Sequence, residues 1–223
     1  MLQRALTPLE ARVLGVLVEK HATVPDTYPL SLNALVAGCN QKTARDPLMN
    51  ADDADVLVAV DSLKAASLLI ESSGSRVARY EHNLQRGLVV PSQAVAILAV
   101  LMLRGPQTAA ELRANCERLH RFADVSSVEG FLDELAARQP PLVLKLPRAP
   151  GSREARWAHL LCGEVVTPVA AAAAAAMPEH DAVSAGELAA LKAEQQRLAA
   201  RVEALQAMVD QLSAELGVTP RAR

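Results

Sequence analysis

The side chains best equipped for chemistry in this chain are few and scattered. Five histidines (His21, His82, His120, His159, His180) and three cysteines (Cys39, Cys116, Cys162) fall one to a segment. No pair has zinc-ligand spacing, and an odd number of distant cysteines argues against a disulfide framework. Tyr80-Glu81-His82 sets an acid beside a base, but the run reads as a strand, where neighbours point to opposite faces and do not converge. Glu19-Lys20-His21 reads as a helix end serving solubility and the helix dipole. Gly-rich phosphate loops, HExxH, CxxC pairs and GxSxG are absent. The expectation is a protein that is not an enzyme, with no metal and no cofactor.

What does cluster is positive charge. Lys145, Arg148, Arg153 and Arg156 stand against Glu154 within residues 145–156, and Arg76, Arg79 and Arg86 surround an earlier turn. Arg113, Arg118 and Arg121 form a third group. Such side chains suit phosphate oxygens, so the first six candidates for nucleic-acid contact are Lys145, Arg148, Arg153, Arg156, Arg76 and Arg79. The alternative is arginines merely solvated in surface turns. Lys42 and Arg45 are expected to pair with Asp46 or nearby helix acids rather than with phosphate.

The elements that must carry these residues follow a repeated order. Thr7-Pro8-Leu9-Glu10 combines a capping box with proline at the first helical position, and Leu9, Val13, Leu14, Leu17 and Val18 continue at helical spacing. Helices are also expected over 30–39 and 52–66, then strands at 68–70 and 76–82 around Ser72-Ser73-Gly74-Ser75. The order then recurs: helices over 92–103, 109–119 and 126–138, strands at 142–146 and 155–161. Three helices and a β-hairpin make the winged form of the helix-turn-helix, and its repetition predicts two tandem copies. The fold class is therefore mainly α with small β-hairpins (α+β), two winged-helix domains over 1–87 and 88–163.

An Ala/Pro linker over 164–183 is expected to lead to a coiled-coil helix over 184–217 and a disordered tail, 218–223. Its seam is Leu188, Leu191, Gln195, Leu198, Val202, Leu205, Val209, Leu212 and Leu216, spaced three and four apart. Val at a and Leu at d favour a parallel homodimer; the alternative is an amphipathic helix packed on its own domains.

Leu6-Thr7 with Glu10 to Gly15, Tyr28 to Asn33, Cys39 to Thr43, Leu103 to Thr108, Glu111-Leu112-Arg113, Pro147-Arg148, Pro150 to Glu154 and His159 to Glu164 resemble the YceH-like family of bacterial proteins. The resemblance runs in order over residues 6–167. It implies tandem winged-helix domains, commonly with a helical tail, and no catalytic residue; the long alanine linker is this chain's main departure.

Composition narrows the class further. The 23 Lys and Arg against 25 Asp and Glu leave a net charge of −2, which excludes binding nucleic acid by being basic throughout. Residues 52–66 are net −3 and residues 126–138 net −2, so neither third helix is built for reading a groove lined by phosphates. The most apolar runs are too short to span a bilayer, and no secretory signal opens the chain, so the expected location is cytoplasmic. Two partner classes stay open: duplex DNA held by the basic wings, or a protein bound by the acidic third-helix faces.

Overall fold

The computed structural model describes residues 4–72, 77–148, 151, 152 and 154–165, with 197, 201, 202 and 206 in the C-terminal segment. The chain divides into two compact units, Met1–Ala171 and Ala172–Arg223. Arg76, Arg153, residues 166–183, the tail, and every seam residue except Val202 lie outside the described residues.

The first unit is α+β. Helices α1 (Pro8–Thr23), α2 (Leu32–Cys39) and α3 (Asp53–Ala65) precede strands β2 (Leu69–Ser72) and β3 (Arg79–His82). A short strand β1 (Leu30–Ser31) pairs with β3, giving an antiparallel sheet of order β1-β3-β2. One turn of helix, α4 (Leu84–Gly87), leads to α5 (Ser92–Arg104), α6 (Ala109–Cys116), α7 (Val125–Ala136) and the hairpin β4 (Val143–Lys145) and β5 (Trp157–His159).

Local chemistry explains most boundaries. Thr7 and Glu10 form the expected capping box on α1, as do Thr108 and Glu111 on α6. Asp52 and Asp55 make a further box on α3, which turns acids at a helix start into structural groups. Several expected boundaries move: the helix expected over 109–119 ends at Cys116, the last two strands shorten to Val143–Lys145 and Trp157–His159, and two helix starts shift with their caps. Leu30 and Ser31 are extended, and Ser31 instead caps α2 by accepting from the Ala34 N–H. The seventh helix begins at Val125 because Asp124, not Ser126, accepts from the Ser127 N–H.

The core is continuous across both three-helix groups. Helix α5 is buried at every position from Ala94 to Leu103, and α1 buries Ala11, Val13, Leu14, Val16, Leu17 and Val18. Gly15 permits the close approach of these helices: a Cβ there would lie 2.8 Å from Leu103 Cγ. The Leu6 N–H donates to Leu161 O at 2.8 Å, and the Asp46 N–H to Leu103 O at 2.8 Å, so both ends and the α2–α3 loop are tied to the same core.

Buried arginines hold that loop. Arg12, 1% exposed, donates to Cys39 O (3.0 Å) and Pro47 O (2.6 Å). Arg45 donates to Gly38 O and closes on Glu19 at 2.6 Å. Arg45 thus pairs, but with Glu19 rather than with Asp46 or an α3 acid. Glu19 is accordingly not a solubility residue: Arg45 and Lys20 hold its carboxylate below the ordinary range despite the opposing effect of burial.

Candidate nucleic-acid interface

The second hairpin is anchored on its inner side and free on its outer side. Trp157, 3% exposed, donates its backbone N–H to Gln107 O (2.7 Å) and accepts from the Gln107 N–H (3.0 Å). The Gln107 side chain, also buried, donates to Val100 O and Gly105 O and accepts from Asn115 Nδ2 at 2.6 Å. These bonds fix β5 against the start of α6. Lys145, paired across the ladder with Trp157, carries its ammonium 5.3 Å from that ring's centroid. The indole thereby holds a cation at the surface without neutralising it.

The basic candidates separate into two groups. Lys145 and Arg148 are exposed, and neither has a carboxylate partner among the described residues. Arg156 is engaged, donating to Pro106 O (2.8 Å) and to Glu111 Oε1 (3.1 Å), the same carboxylate that caps α6. Arg79 donates to Pro29 O at 2.9 Å and secures β1 beside β3. Arg76 and Arg153 fall outside the described residues, so the structure brings together Lys145, Arg148 and Arg156 on one hairpin and places Arg79 on another sheet. Arg113 and Arg121 border a recess of about 600 Å³ with Glu117 and Phe122; Arg113 donates to Ala123 O and Arg121 meets Glu117 at 3.5 Å.

The third helices present different outer faces. On α7 the exposed residues are Ser126, Glu129, Gly130, Asp133 and Glu134, while Phe131 turns inward against Phe122 at 5.9 Å. On α3 the exposed residues include Ala54, Leu57, Val58, Asp61 and Ala65. Neither set contains the Arg, Lys, Asn or Gln side chains that read base edges.

One cluster was invisible along the chain. His21, at the end of α1, places Nδ1 3.0 Å from His82 Nε2 on β3, 61 residues away. Its ring stacks on Tyr28 at 4.7 Å, and Tyr28 Oη accepts from the His82 N–H at 2.8 Å. His82 Nδ1 is buried without a partner among the described residues, and burial together with the neighbouring His21 pushes the pKa of His82 down to about 4. The ring centroids are 5.2 Å apart, so the two nitrogens face each other nearly head-on along a hydrogen bond. Only the tertiary fold brings the end of α1 to β3, and no spacing rule could have paired these histidines. Among the described residues no three His, Cys, Asp or Glu side chains are placed to hold a metal ion.

Two successive sets of three helices and a hairpin, sharing one core and bearing an outward basic hairpin, define an α+β protein organised around presented helices and turns. The chain belongs to the family described as "Protein of unknown function, DUF480", whose model matches residues 6–152. It is 66% identical over 215 residues to a UPF0502 protein of Leptothrix cholodnii, covering 96% of this chain and 97% of that one. It is 64% identical to a UPF0502 protein of Burkholderia pseudomallei (96% and 91% covered) and 62% identical to one of Cupriavidus taiwanensis (97% and 89% covered). This membership agrees with the YceH-like resemblance. No helix among the described residues is long and apolar enough to cross a membrane.

Proposed function

We propose that this chain is a non-catalytic DNA-associated protein of two winged-helix modules, in which the second hairpin grips the phosphate backbone. The observation that carries this reading is the pair Lys145 and Arg148, exposed on one hairpin and without carboxylate partners among the described residues. A wing-led contact of this kind is electrostatic and largely indifferent to sequence, because phosphates position a protein while base edges specify the site. The acidic or apolar outer faces of α7 and α3 fit that division: they would contribute nothing to groove reading. The C-terminal heptads would join two copies in parallel and double the number of wings; Val202, an a position, is helical and 53% exposed.

The test is binding of the full chain to random duplex DNA across a salt series. Affinity at low salt is expected, with the log–log salt slope reduced by about one for each of Lys145→Ala and Arg148→Ala. Absence of affinity at low salt, or a slope unchanged in the double variant, overturns the reading. Light-scattering mass with and without residues 184–223 tests the dimer; a monomeric mass for both overturns it.

A further inference from the structure

Helix α3 carries apolar residues on its outer side as well as in the core. Val56, Ala59, Val60 and Leu63 enter the core, while Ala54, Leu57, Val58 and Ala65 stand on the solvent side with Asp61 among them. Positions 54, 57, 58, 61 and 65 are spaced three and four apart, so they form one stripe along the helix. Val58 is 71% exposed and Leu57 40%. A surface helix normally turns polar residues to water, and an apolar outer stripe marks a face that another molecule covers. The stripe is edged by carboxylates. Among the described residues Asp53 has no partner, and Asp61, 65% exposed, meets only Lys64, at 3.3 Å. Lys64 is shared with Glu71 on β2, so this end of the helix stays net acidic.

We infer that the outer face of α3 is a docking surface for a basic amphipathic helix of another protein, which lays aliphatic side chains on Leu57 and Val58 and pairs Lys or Arg with Asp53 and Asp61. Charge decides the occupant. DNA would bring phosphates against carboxylates and has no use for the aliphatic stripe. A second copy's α3 would set acid against acid. The chain's own residues 184–217 carry three Lys and Arg against five Asp and Glu, so that segment too has the wrong sign. A helix with leucines at i, i+3 or i+4 and i+7, flanked by basic residues, matches both the spacing and the charge. Helix α7 offers no equivalent, because its outer face is polar and a Cβ added at Gly130 would meet nothing. The inference is independent of the wing and stands or falls without it.

The experiment uses the full chain and two dye-labelled synthetic helices, one with leucines at those spacings and Lys/Arg flanks, the other identical but with Glu flanks. Fluorescence anisotropy should show binding of the basic peptide only. Val58→Asp should weaken it by about tenfold or more, as expected of a central apolar contact. Val89→Asp, equally exposed elsewhere, should leave it unchanged. Asp53→Lys with Asp61→Lys should transfer preference to the Glu-flanked peptide. Because Val58 is solvent-facing, the urea midpoint of Val58→Asp should match the parent protein, separating lost docking from lost folding. The inference is overturned by no binding of the basic peptide, by equal binding of both peptides, or by indifference to Val58→Asp. It is also overturned if the chain's own mass falls on Val58→Asp, which would make a second copy the occupant.

Discussion

Gly15 of α1 and Leu103 of α5 touch where the two three-helix groups meet: a Cβ on Gly15 would sit 2.8 Å from Leu103 Cγ and 3.4 Å from Ala99 O. The contact is to the branch point of a leucine that is 3% exposed, not to a mobile tip. Backbone approach at this position lets α1, buried from Glu10 to Val18, and α5, buried from Ala94 to Leu103, share a single core.

Gly15→Ala therefore sets two effects against each other. Alanine raises helix propensity by about 1 kcal/mol, while overpacking a tight core costs about 1–3 kcal/mol. We expect net destabilisation, and a larger loss for Gly15→Val, measured by urea unfolding. Equal or greater stability in both variants would mean that α1 and α5 are not this close.

Arg45 and Glu19 supply a second test. The guanidinium is fully buried and also donates to Gly38 O and Ala44 O. Arg45→Met leaves the partly buried Glu19 carboxylate with Lys20 alone and strands two carbonyls, and should cost about 2–4 kcal/mol. The double variant Arg45→Met, Glu19→Leu should recover part of that loss, since no orphaned charge then remains. A double-mutant cycle on unfolding free energies reads the difference.

Acid should act in two windows. His82 and His159 titrate near 4 in the folded chain, below the ordinary value of 6.5, chiefly because both rings are buried. The unfolded chain then binds protons more readily between pH 6.5 and 4, so stability present above that window falls as pH drops through it. Each histidine contributes up to about 3 kcal/mol by this route. His82→Gln and His159→Gln should each flatten the pH dependence of the urea midpoint between pH 7 and 4.5.

Glu10 acts in the lower window, as does Glu19. Burial opposes its charge, yet Arg4 at 2.5 Å, the Ser62 hydroxyl and the Thr7 N–H hold its pKa at about 2. A depressed carboxylate stabilises above its unfolded value and loses that contribution as pH falls from about 4.5 to 2. Because Arg4 is half exposed, Glu10→Gln should cost only ~1–2 kcal/mol at pH 7 and nearly nothing at pH 2.

The two kinds of arginine on the second hairpin should also part company. Arg156 holds Pro106 O and Glu111, so Arg156→Ala is expected to lower stability by about 0.5–1 kcal/mol with little change in a DNA salt slope. Arg148→Ala should do the reverse. A common effect of both substitutions on the slope would show that hydrogen bonding to Pro106 does not commit Arg156.

Local chemistry alone determined much of this protein. The capping boxes at Thr7 and Thr108, the 3.6-residue spacing of Val13, Leu14 and Leu17, and the breaks at Gly105-Pro106 and Pro140-Pro141 depend on neighbours a turn or two away, so element order and the basic hairpin were legible in the chain. Strand β1 was not, because Leu30 and Ser31 become extended only by pairing with Tyr80 and Arg79 fifty residues on. Burial of both faces of α5 was hidden for the same reason: an apolar run shows that a helix is buried, not which neighbour covers it. Identity likewise could not say that Glu19 meets Arg45, that His21 meets His82, or that Arg156 is occupied while Arg148 has no carboxylate partner among the described residues. Those outcomes belong to the tertiary structure, because a charge or an imidazole takes its role from whatever distant group the packed core brings within about 3 Å of it.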